Sequence, residues 1–476
     1  MNNQFLRLIS LLLMAFLSSC TPTRVLDKVS LTSPEQWHHV PSVQTVSVDL
    51  KQWWMGFQNP LLNDLITRAL AANHDIRIAK ARIREAGAIV TIAESALYPS
   101  IDLFTSGGRE KRIDRIVGIP GKNGIELITP AANIISGGLA ARWEIDLFGS
   151  KHLEVEAATA QLAGAEEAQR AVQVGLLAQV ATNYLELRGV QKRSSLQRET
   201  IEIQREKLRA LQLFNQMGLA NTADVASQET LLRTTEAALT AITSAEKNLI
   251  HRLGVLLGES PESLENRLVS GMERLIALPG IPKLLPSDLL AQRPDLRLAQ
   301  TEVSMAAANL GAARADLLPK LVLSASGGFG ALAVSGFPSL AESVYALGSG
   351  LTAPIFSAGR IRAHIATADA RLDQVAANYE KIFLLALEDV ENAYVEHTAS
   401  MERLKQLSEA EMTAEKAYRL KDALYQRGAG DYLSVLDAQR NKLAVGEELT
   451  KAETAVHVSL VSLYRAFGGG WPPTPR

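Results

Sequence analysis

The sequence predicts a mainly α-helical chain with a membrane β-barrel: an internally duplicated protein whose every copy supplies four strands and long, coiled-coil-like helices to a trimer. Three observations predict it. The first is a repeat. Asp75–Gly108 lies on Asp295–Gly328 without a gap, and 12 of the 34 positions are identical, among them Asp75/Asp295, Arg77/Arg297, Pro99/Pro319 and Gly108/Gly328. The offset of 220 residues becomes 210 at Gly149/Gly359 and holds through Tyr184/Tyr394, Gly218/Gly428 and Gly258/Gly468, so the halves differ by ten residues between Gly108 and Gly138. A period this long exceeds the ~20–50 residues of a solenoid unit and marks a duplicated half-protein. The second observation is a run of about 68 residues without proline, Ser150–Met217, with a counterpart at Gly359–Arg427. The third is a pair of alternating apolar and polar segments in each half.

At ~150 residues per domain, a chain of 476 residues suggests about three domains, but the duplication argues for one body built from two halves. The net charge of −2 and 5% aromatic content offer no clustered basic face for nucleic acid. At the N-terminus, Arg7 precedes an apolar stretch, Leu8–Leu17, that is too short to span a bilayer. Leu17-Ser18-Ser19-Cys20 follows and resembles a bacterial lipobox. Cys20 is the single cysteine, which excludes an intrachain disulfide and leaves the thiol for acylation. Thr21, rather than Asp, after it is the residue expected for outer-membrane sorting. Acyl chains anchor without spanning, and no other stretch reaches the ~18 apolar residues of a membrane helix, so any crossing must use strands.

Thr21–Lys51 is rich in Pro, Ser and Thr and reads as an extended tether; Trp53-Trp54 opens the ordered body. From Pro60 to Leu97 apolar residues recur at helical spacing, with a break expected at Asn73-His74 and an end imposed by Pro99. Beyond Pro99 the period switches to two. Ile101, Leu103 and Thr105 alternate with Ser100, Asp102 and Ser106; after a Gly-rich loop, Trp143, Ile145 and Leu147 alternate with Arg142, Glu144 and Asp146. The second half repeats this with Leu321, Leu323 and Ala325, then Leu351, Ala353 and Ile355. Four strands cannot close a barrel, and two copies would give eight strands and a filled interior; three copies give twelve strands and a pore.

The proline-free runs correspond to helices of roughly 100 Å at 1.5 Å per residue. Their apolar spacing is coiled-coil-like at Leu176, Val180, Tyr184 and Leu187, and at Leu372, Val375, Tyr379 and Ile382. Such helices suit a projecting cylinder walled by neighbours' helices. Each ends at a glycine turn, Gly218 or Gly428, and a returning helix is expected over Thr222–Leu257 and Tyr432–Phe467. Gly258–Pro286 carries four prolines and reads as a linker.

Catalytic and metal chemistry is not indicated. The eight histidines form no pair at metal-binding helical spacing. Gly118–Asn123 has the wrong spacing for a phosphate loop and reads as the hairpin loop, and Gly327–Gly330 follows a strand but opens no helix. The eight methionines do not cluster, and Met55, Met217 and Met401 read as packing residues.

Several short motifs recur against this frame: Trp53-Trp54 with Phe57 and Pro60-Leu61; Arg293-Pro294-Asp295; Leu318-Pro319; Pro354-Ile355-Phe356 with Gly359-Arg360; Leu433 with Val435 through Arg440; and Ala466 through Trp471. Together with the duplicated helix, hairpin, long helix and turn behind a lipobox, the chain resembles the TolC-like outer-membrane efflux proteins, in particular the lipoprotein branch (OprM/CusC/NodT family). The resemblance covers nearly the whole mature chain. It implies a homotrimer with a twelve-stranded barrel in the outer membrane and a helical tunnel through the periplasm. A periplasmic adaptor and an inner-membrane pump dock at the tunnel tip, where the turns close the duct at rest. It further implies that Leu433 and Asp437 form constricting rings, that Arg440 is gate-associated, and that Tyr425 and Asp224 link neighbouring helices when closed. Gly430 stands where the TolC pattern has a bonding arginine and Ser434 where it has a second acidic residue, which favours the OprM-like arrangement. From spacing alone, Asp437 and Arg440 read as a solvated pair beside an ordinary turn; the resemblance reverses that reading. Three Asp437 carboxylates on a threefold axis would repel one another and attract cations, and Arg440, three residues on, could offset that charge.

The expected organisation is a signal peptide over 1–19, a lipid-anchored tether over 20–52, repeats over 53–258 and 287–470 joined by a linker over 259–286, and a tail over 471–476. The expected function is a passive trimeric duct of a tripartite efflux system that exports drugs or other toxic small molecules, with no enzymatic activity, cofactor or metal. The alternatives are a type I protein secretion channel and a structural periplasm-spanning lipoprotein. The lipobox and OprM-like C-terminus weigh against the first, and the alternating strand at Trp143 weighs against the second.

Overall fold

The computed structural model describes residues 31–39, 45–46, 49–110, 113–115, 126–128, 132–268, 277–282, 284–334 and 340–471. Cys20 and Gly118–Asn123 lie outside these. In the first half, α1 (Pro60–Ala72) and α2 (His74–Ser95) lead to the strands β2 (Ser100–Glu110) and β5 (Ala132–Ile145). The long helix α3 (Ser150–Gln216) and the returning helix α4 (Thr222–Leu256) follow. In the second half, α5 (Leu289–Gln292) and α6 (Pro294–Ala315) precede β7 (Lys320–Val334), β8 (Leu340–Thr352), α7 (Arg360–Gln426) and α8 (Tyr432–Ala466). The long helices have 67 residues each and the returning helices 35 each, so the duplication is kept at the level of element length. Shorter strand pairs join β1 (Thr45–Val46) to β6 (Ile281–Pro282) and β3 (Ile113–Arg115) to β4 (Glu126–Ile128).

The expected break at Asn73-His74 is present and has a side-chain cause. Asn73 Oδ1 accepts from the amides of Asp75 and Ile76, while its Nδ2 donates to the Leu256 carbonyl at 2.9 Å. One residue thereby ends α1, caps α2 and ties both to α4. The α2 helix stops at Ser95, short of the expected Leu97, because tight turns at Ala96, Leu97 and Tyr98 already release the chain before Pro99.

The chain forms two compact units. One comprises residues 84–163 and 300–378 and holds an antiparallel sheet in the order β2-β5-β7-β8. Its alternation sorts side chains by face. Leu103 lies opposite Leu139, Trp143 opposite Leu323, and Leu321 opposite Leu351 on an apolar, exposed face. The other face mixes serines, glycines and charged residues with Phe104, Val322 and Val344, and its Ser106 and Ser136 hydroxyls lie 2.6 Å apart. Two expected strand residues lie beyond the ladder: β8 ends at Thr352, opposite Lys320 where β7 begins, so Ala353 and Ile355 have no partner strand. Likewise β5 ends at Ile145, and Leu147 turns back through its amide to the Ile145 carbonyl.

The other unit comprises residues 31–83, 164–299 and 379–476. Its core is aromatic. Trp53 stacks on Tyr464 at 5.1 Å and meets Phe57 edge-on, and Trp37 packs against Tyr394 and Phe467. The guanidinium groups of Arg170 and Arg297 both lie against the Trp471 ring, at 5.0 and 5.1 Å from its centre, and both arginines pair with the same oxygen of buried Glu167. Arg293 holds Asp295 and Asp389 and donates to the Ala466 carbonyl. Part of the tether and linker is ordered here: β1 pairs with β6, and Tyr464 donates to the Gly280 carbonyl at 2.7 Å.

The coiled-coil reading of the long helices holds at Leu176, Val180, Tyr184 and Leu187, all buried. In α7 the buried series is Leu372, Ala376, Tyr379, Phe383, Ala386, Val390 and Ala393, a strict alternation of four and three. Val375 and Ile382 are only half-buried. Alanines carry three of these seven positions, and the seam runs through Ala376 and Phe383, one residue beyond the Val375 and Ile382 that the apolar pattern had assigned.

Candidate functional site

The residues expected to act converge on the two helical turns. Both turns are built alike. After α3, the Leu219 amide donates to the Phe214 carbonyl and Gly218 to Asn215; after α7, Ala429 donates to Leu424 and Gly428 to Tyr425. Gly218 and Gly428 have φ of 72° and 71°, the left-handed conformation such helix ends require and that glycine adopts without strain. Asn221 then caps α4 through the Ala223 amide, and Asp431 caps α8 through the Ser434 amide and hydroxyl. These two donors hold the Asp431 carboxyl below its usual range. Ser434 is thus a capping partner. A Cβ on Gly430 would stand 3.3 Å from Leu424 Cβ, so a side chain there requires the turn to shift.

The two turns border an open cleft of about 540 Å³ lined by Gly218, Asp224, Tyr425, Asp431, Tyr432 and Leu433, among others. Asp224 occupies the first turn of α4, where the helix dipole favours a carboxylate. Tyr425 and Asp224 share this cleft without a hydrogen bond between them. Burial first, and then the Asp224 charge, raises the Tyr425 hydroxyl above its ordinary pKa.

Leu433, Asp437 and Arg440 recur at i, i+4 and i+7 and so share one face of α8. All three are exposed, Leu433 at 58%. The neighbouring face, Tyr432, Val435, Leu436 and Gln439, is buried and packs with Leu211 and Leu231. No ion pair joins Asp437 to Arg440 among the described residues. Both side chains are exposed, and an exposed pair at this spacing gains only ~0.2–0.5 kcal/mol. The expected internal charge offset is therefore not formed within one chain.

The sequence reading missed the polar link beneath this stripe. Tyr432 Oη donates to Gln228 Oε1 at 2.9 Å, and Gln228 Nε2 donates to the Gln204 carbonyl at 3.2 Å. Tyr432 also packs its ring 5.1 Å from Tyr425, and burial raises its hydroxyl pKa well above the ordinary value. Nearby, Lys207 and Lys442 flank the Tyr418 ring at 4.9 and 5.1 Å, and Lys442 pairs with Glu415. The available signal was positional: an aromatic residue directly after the capping Asp431.

Among the described residues, no helix is long and apolar enough to cross a membrane and no cluster of potential metal ligands occurs. Comparison with known proteins agrees with the geometry. A family profile described as outer membrane efflux protein matches residues 65–259 and 285–469, one match on each repeat. The chain is 30% identical over 456 residues to the pyoverdine export outer membrane protein OpmQ of Pseudomonas aeruginosa, covering 96% of this chain and 95% of that protein. It is 30% identical over 416 residues to the solvent efflux pump outer membrane protein SrpC of Pseudomonas putida, covering 87% and 86%. Among solved structures, the outer-membrane channel OprN superposes with a TM-score of 0.80 at 29% identity, covering 92% of this chain and 99% of that one. The open state of the Neisseria gonorrhoeae channel MtrE gives 0.77 at 25% identity, covering 93% and 97%. With the profile on both repeats and relatives aligned over almost their full length, the chain belongs to the outer membrane efflux protein family.

Proposed function

We propose that the chain is the passive outer-membrane duct of a tripartite efflux system and that its closure lies at the helical turns. It acts as a trimer that contributes twelve strands to one barrel and carries out no catalysis of its own. The observation that carries this reading is the unclosed sheet: four antiparallel strands with an apolar exposed face and unpaired outer edges at β2 and β8. Such a sheet is stable in a membrane only when its edges are paired. A structural spacer has no use for that face.

Leu433, Asp437 and Arg440 form the constriction, because their stripe is the face of α8 that the chain itself leaves uncovered. Three Asp437 carboxylates around the axis repel one another, limit closure and favour cations at the mouth. Tyr425 and Asp224, on the same cleft, link helices of the closed duct, and the turns at Gly218 and Gly428 meet a periplasmic adaptor that connects to an inner-membrane pump. Cys20 carries the lipid anchor. Relatives named for pyoverdine, solvent and toluene export support small organic molecules as cargo.

Conductance in planar bilayers tests this, comparing the natural chain with Leu433→Ala/Asp437→Ala. Rare, small currents that become large and sustained in the variant are expected. Equal conduction by both, inserted as trimers, would refute the gate; no conduction by either after verified insertion would refute the duct.

A further inference from the structure

We propose that the cavity at the foot of the β7–β8 hairpin is a binding subsite inside the duct for the carboxylate of an exported organic acid, held by Arg360, His364, Lys320 and Thr352. This rests on the passive-duct reading above and adds to it a class of cargo. The cavity measures about 340 Å³ and lies between the chain leaving α6, at Asp316, and the first turns of α7. Buried Ile361 lines it from below, while Thr352, Arg360 and His364 remain exposed.

Strand alternation decides the side to which it opens. Leu321 and Leu351 stand on the apolar, exposed face of the sheet. Lys320 and Thr352 oppose each other one position along, so they belong to the other face. A barrel that turns its apolar face to lipid turns this one to its interior. Lipid headgroups are thereby excluded as occupants, and a solute in transit is left.

The charges are unevenly matched. Lys320 Nζ lies 2.9 Å from Asp316 Oδ1, and Glu144 and Glu154 act on the same ammonium group. His364 Nδ1 is 3.7 Å from Asp316 Oδ2, too far for a hydrogen bond. Arg360 is different: its amide donates to the Ser357 carbonyl, but its guanidinium has no hydrogen-bond or ion-pair partner among the described residues. It precedes His364 by four residues, on the same face of α7. The amide end of α7 opens here too, and its first turn contains no acidic residue. A free guanidinium, an imidazole, a hydroxyl and helix amides form a set of donors, and the one carboxylate among the lining residues, Asp316, is already engaged by Lys320. A carboxylate fits that set, with two parallel bonds to Arg360. An ammonium group would meet Arg360 unshielded.

The first repeat provides an internal comparison. By the offsets of 220 and 210 residues, Asp316, Lys320, Arg360 and His364 answer to Ala96, Ser100, Ser150 and Glu154. Only Arg142, at the place of Thr352, brings a cation there. The strand-to-helix junction therefore folds with two serines and a glutamate where the second repeat has lysine, arginine and histidine. Folding does not require the basic set; ligand recognition gives it a use.

The test is isothermal titration of the detergent-purified trimer with citrate, and with sucrose as an uncharged solute. Citrate is expected to bind and sucrose is not. Arg360→Gln and His364→Gln, each confirmed as trimeric by native mass, are expected to weaken citrate about tenfold, as for the loss of one hydrogen bond to a charged group. Arg360→Lys should keep part of the affinity, and Lys151→Gln, at the junction of the first repeat, all of it. No citrate binding to the natural trimer overturns the subsite, as does undiminished binding by the glutamine variants. If Arg360→Gln does not assemble, His364→Gln alone decides. Failure of the duct reading looks different: the Leu433→Ala/Asp437→Ala variant would insert and not conduct, whether or not citrate binds. Where that variant conducts, citrate is expected to interrupt its current and Arg360→Gln in the same background to relieve the block; equal block in both overturns the subsite.

Discussion

Replacing Tyr432 by phenylalanine tests whether the link beneath the proposed constriction holds the turns closed. The change removes one hydroxyl and preserves the ring that packs on Tyr425 and Leu211. It leaves Gln228 Oε1 without its 2.9 Å donor in a fully buried position, while the Gln228 amide stays committed to the Gln204 carbonyl and cannot turn to compensate. A neutral buried hydrogen bond contributes ~1 kcal/mol net, and an orphaned buried acceptor raises the cost towards ~1–3 kcal/mol. Gln228 sits on α4 and Tyr432 on α8, so opening that separates these helices breaks the bond in each subunit. Three copies then amount to ~3 kcal/mol, a shift of about 150-fold in the closed-to-open equilibrium. The assay is single-channel open probability in planar bilayers with trimer content verified on native gels. The expected outcome is a large rise for Tyr432→Phe with unchanged unitary conductance. Unchanged open probability, in a preparation where Leu433→Ala/Asp437→Ala does open, would show that α4 and α8 move together and would refute the reasoning.

Two further outcomes concern the aromatic unit. Arg293→Met removes the partner of Asp295 and Asp389 and leaves the Ala466 carbonyl unpaired; with both carboxylates partly exposed, a loss of about 3 kcal/mol is expected, at the low end for breaking a buried pair. An unchanged urea midpoint would contradict it. His397, whose Nδ1 donates to Ser459 because that hydroxyl already donates to the Val456 carbonyl, has its pKa lowered first by burial and then by His457. The unfolded chain takes up the proton first, so stability is full above about pH 6.5 and falls as pH drops below it. His397→Gln should flatten that slope between pH 7.5 and 5.5; parallel slopes in urea unfolding would count against it.

Much of the architecture was legible because it is written locally. The absence of proline across Ser150–Gln216 and the glycine turns at 218 and 428 act within a few residues of themselves, so their effects follow from spacing, whereas the caps at Asn221 and Asp431 went unread although they are as local. The duplication is likewise a property of the chain order, and through it the equivalence of the hairpins. The alternating segments announced a one-sided sheet, though not the early end of β8, which depends on where its partner β7 begins, at Lys320.

What only the tertiary structure decided is pairing between residues far apart in sequence. The Tyr432–Gln228 link spans 204 residues, and Trp471 finds its place against Arg170 and Arg297 from the far end of the chain. Side chains of this kind have no periodicity to betray them, because their partners are set by how helices pack and not by the turn they sit on. Asp437 and Arg440 show the converse: their spacing permits an ion pair, but two exposed ends solvated by water gain too little from meeting to form one. Local chemistry specified where each element starts and stops. The packing of one repeat on the other specified which faces were left bare for further copies.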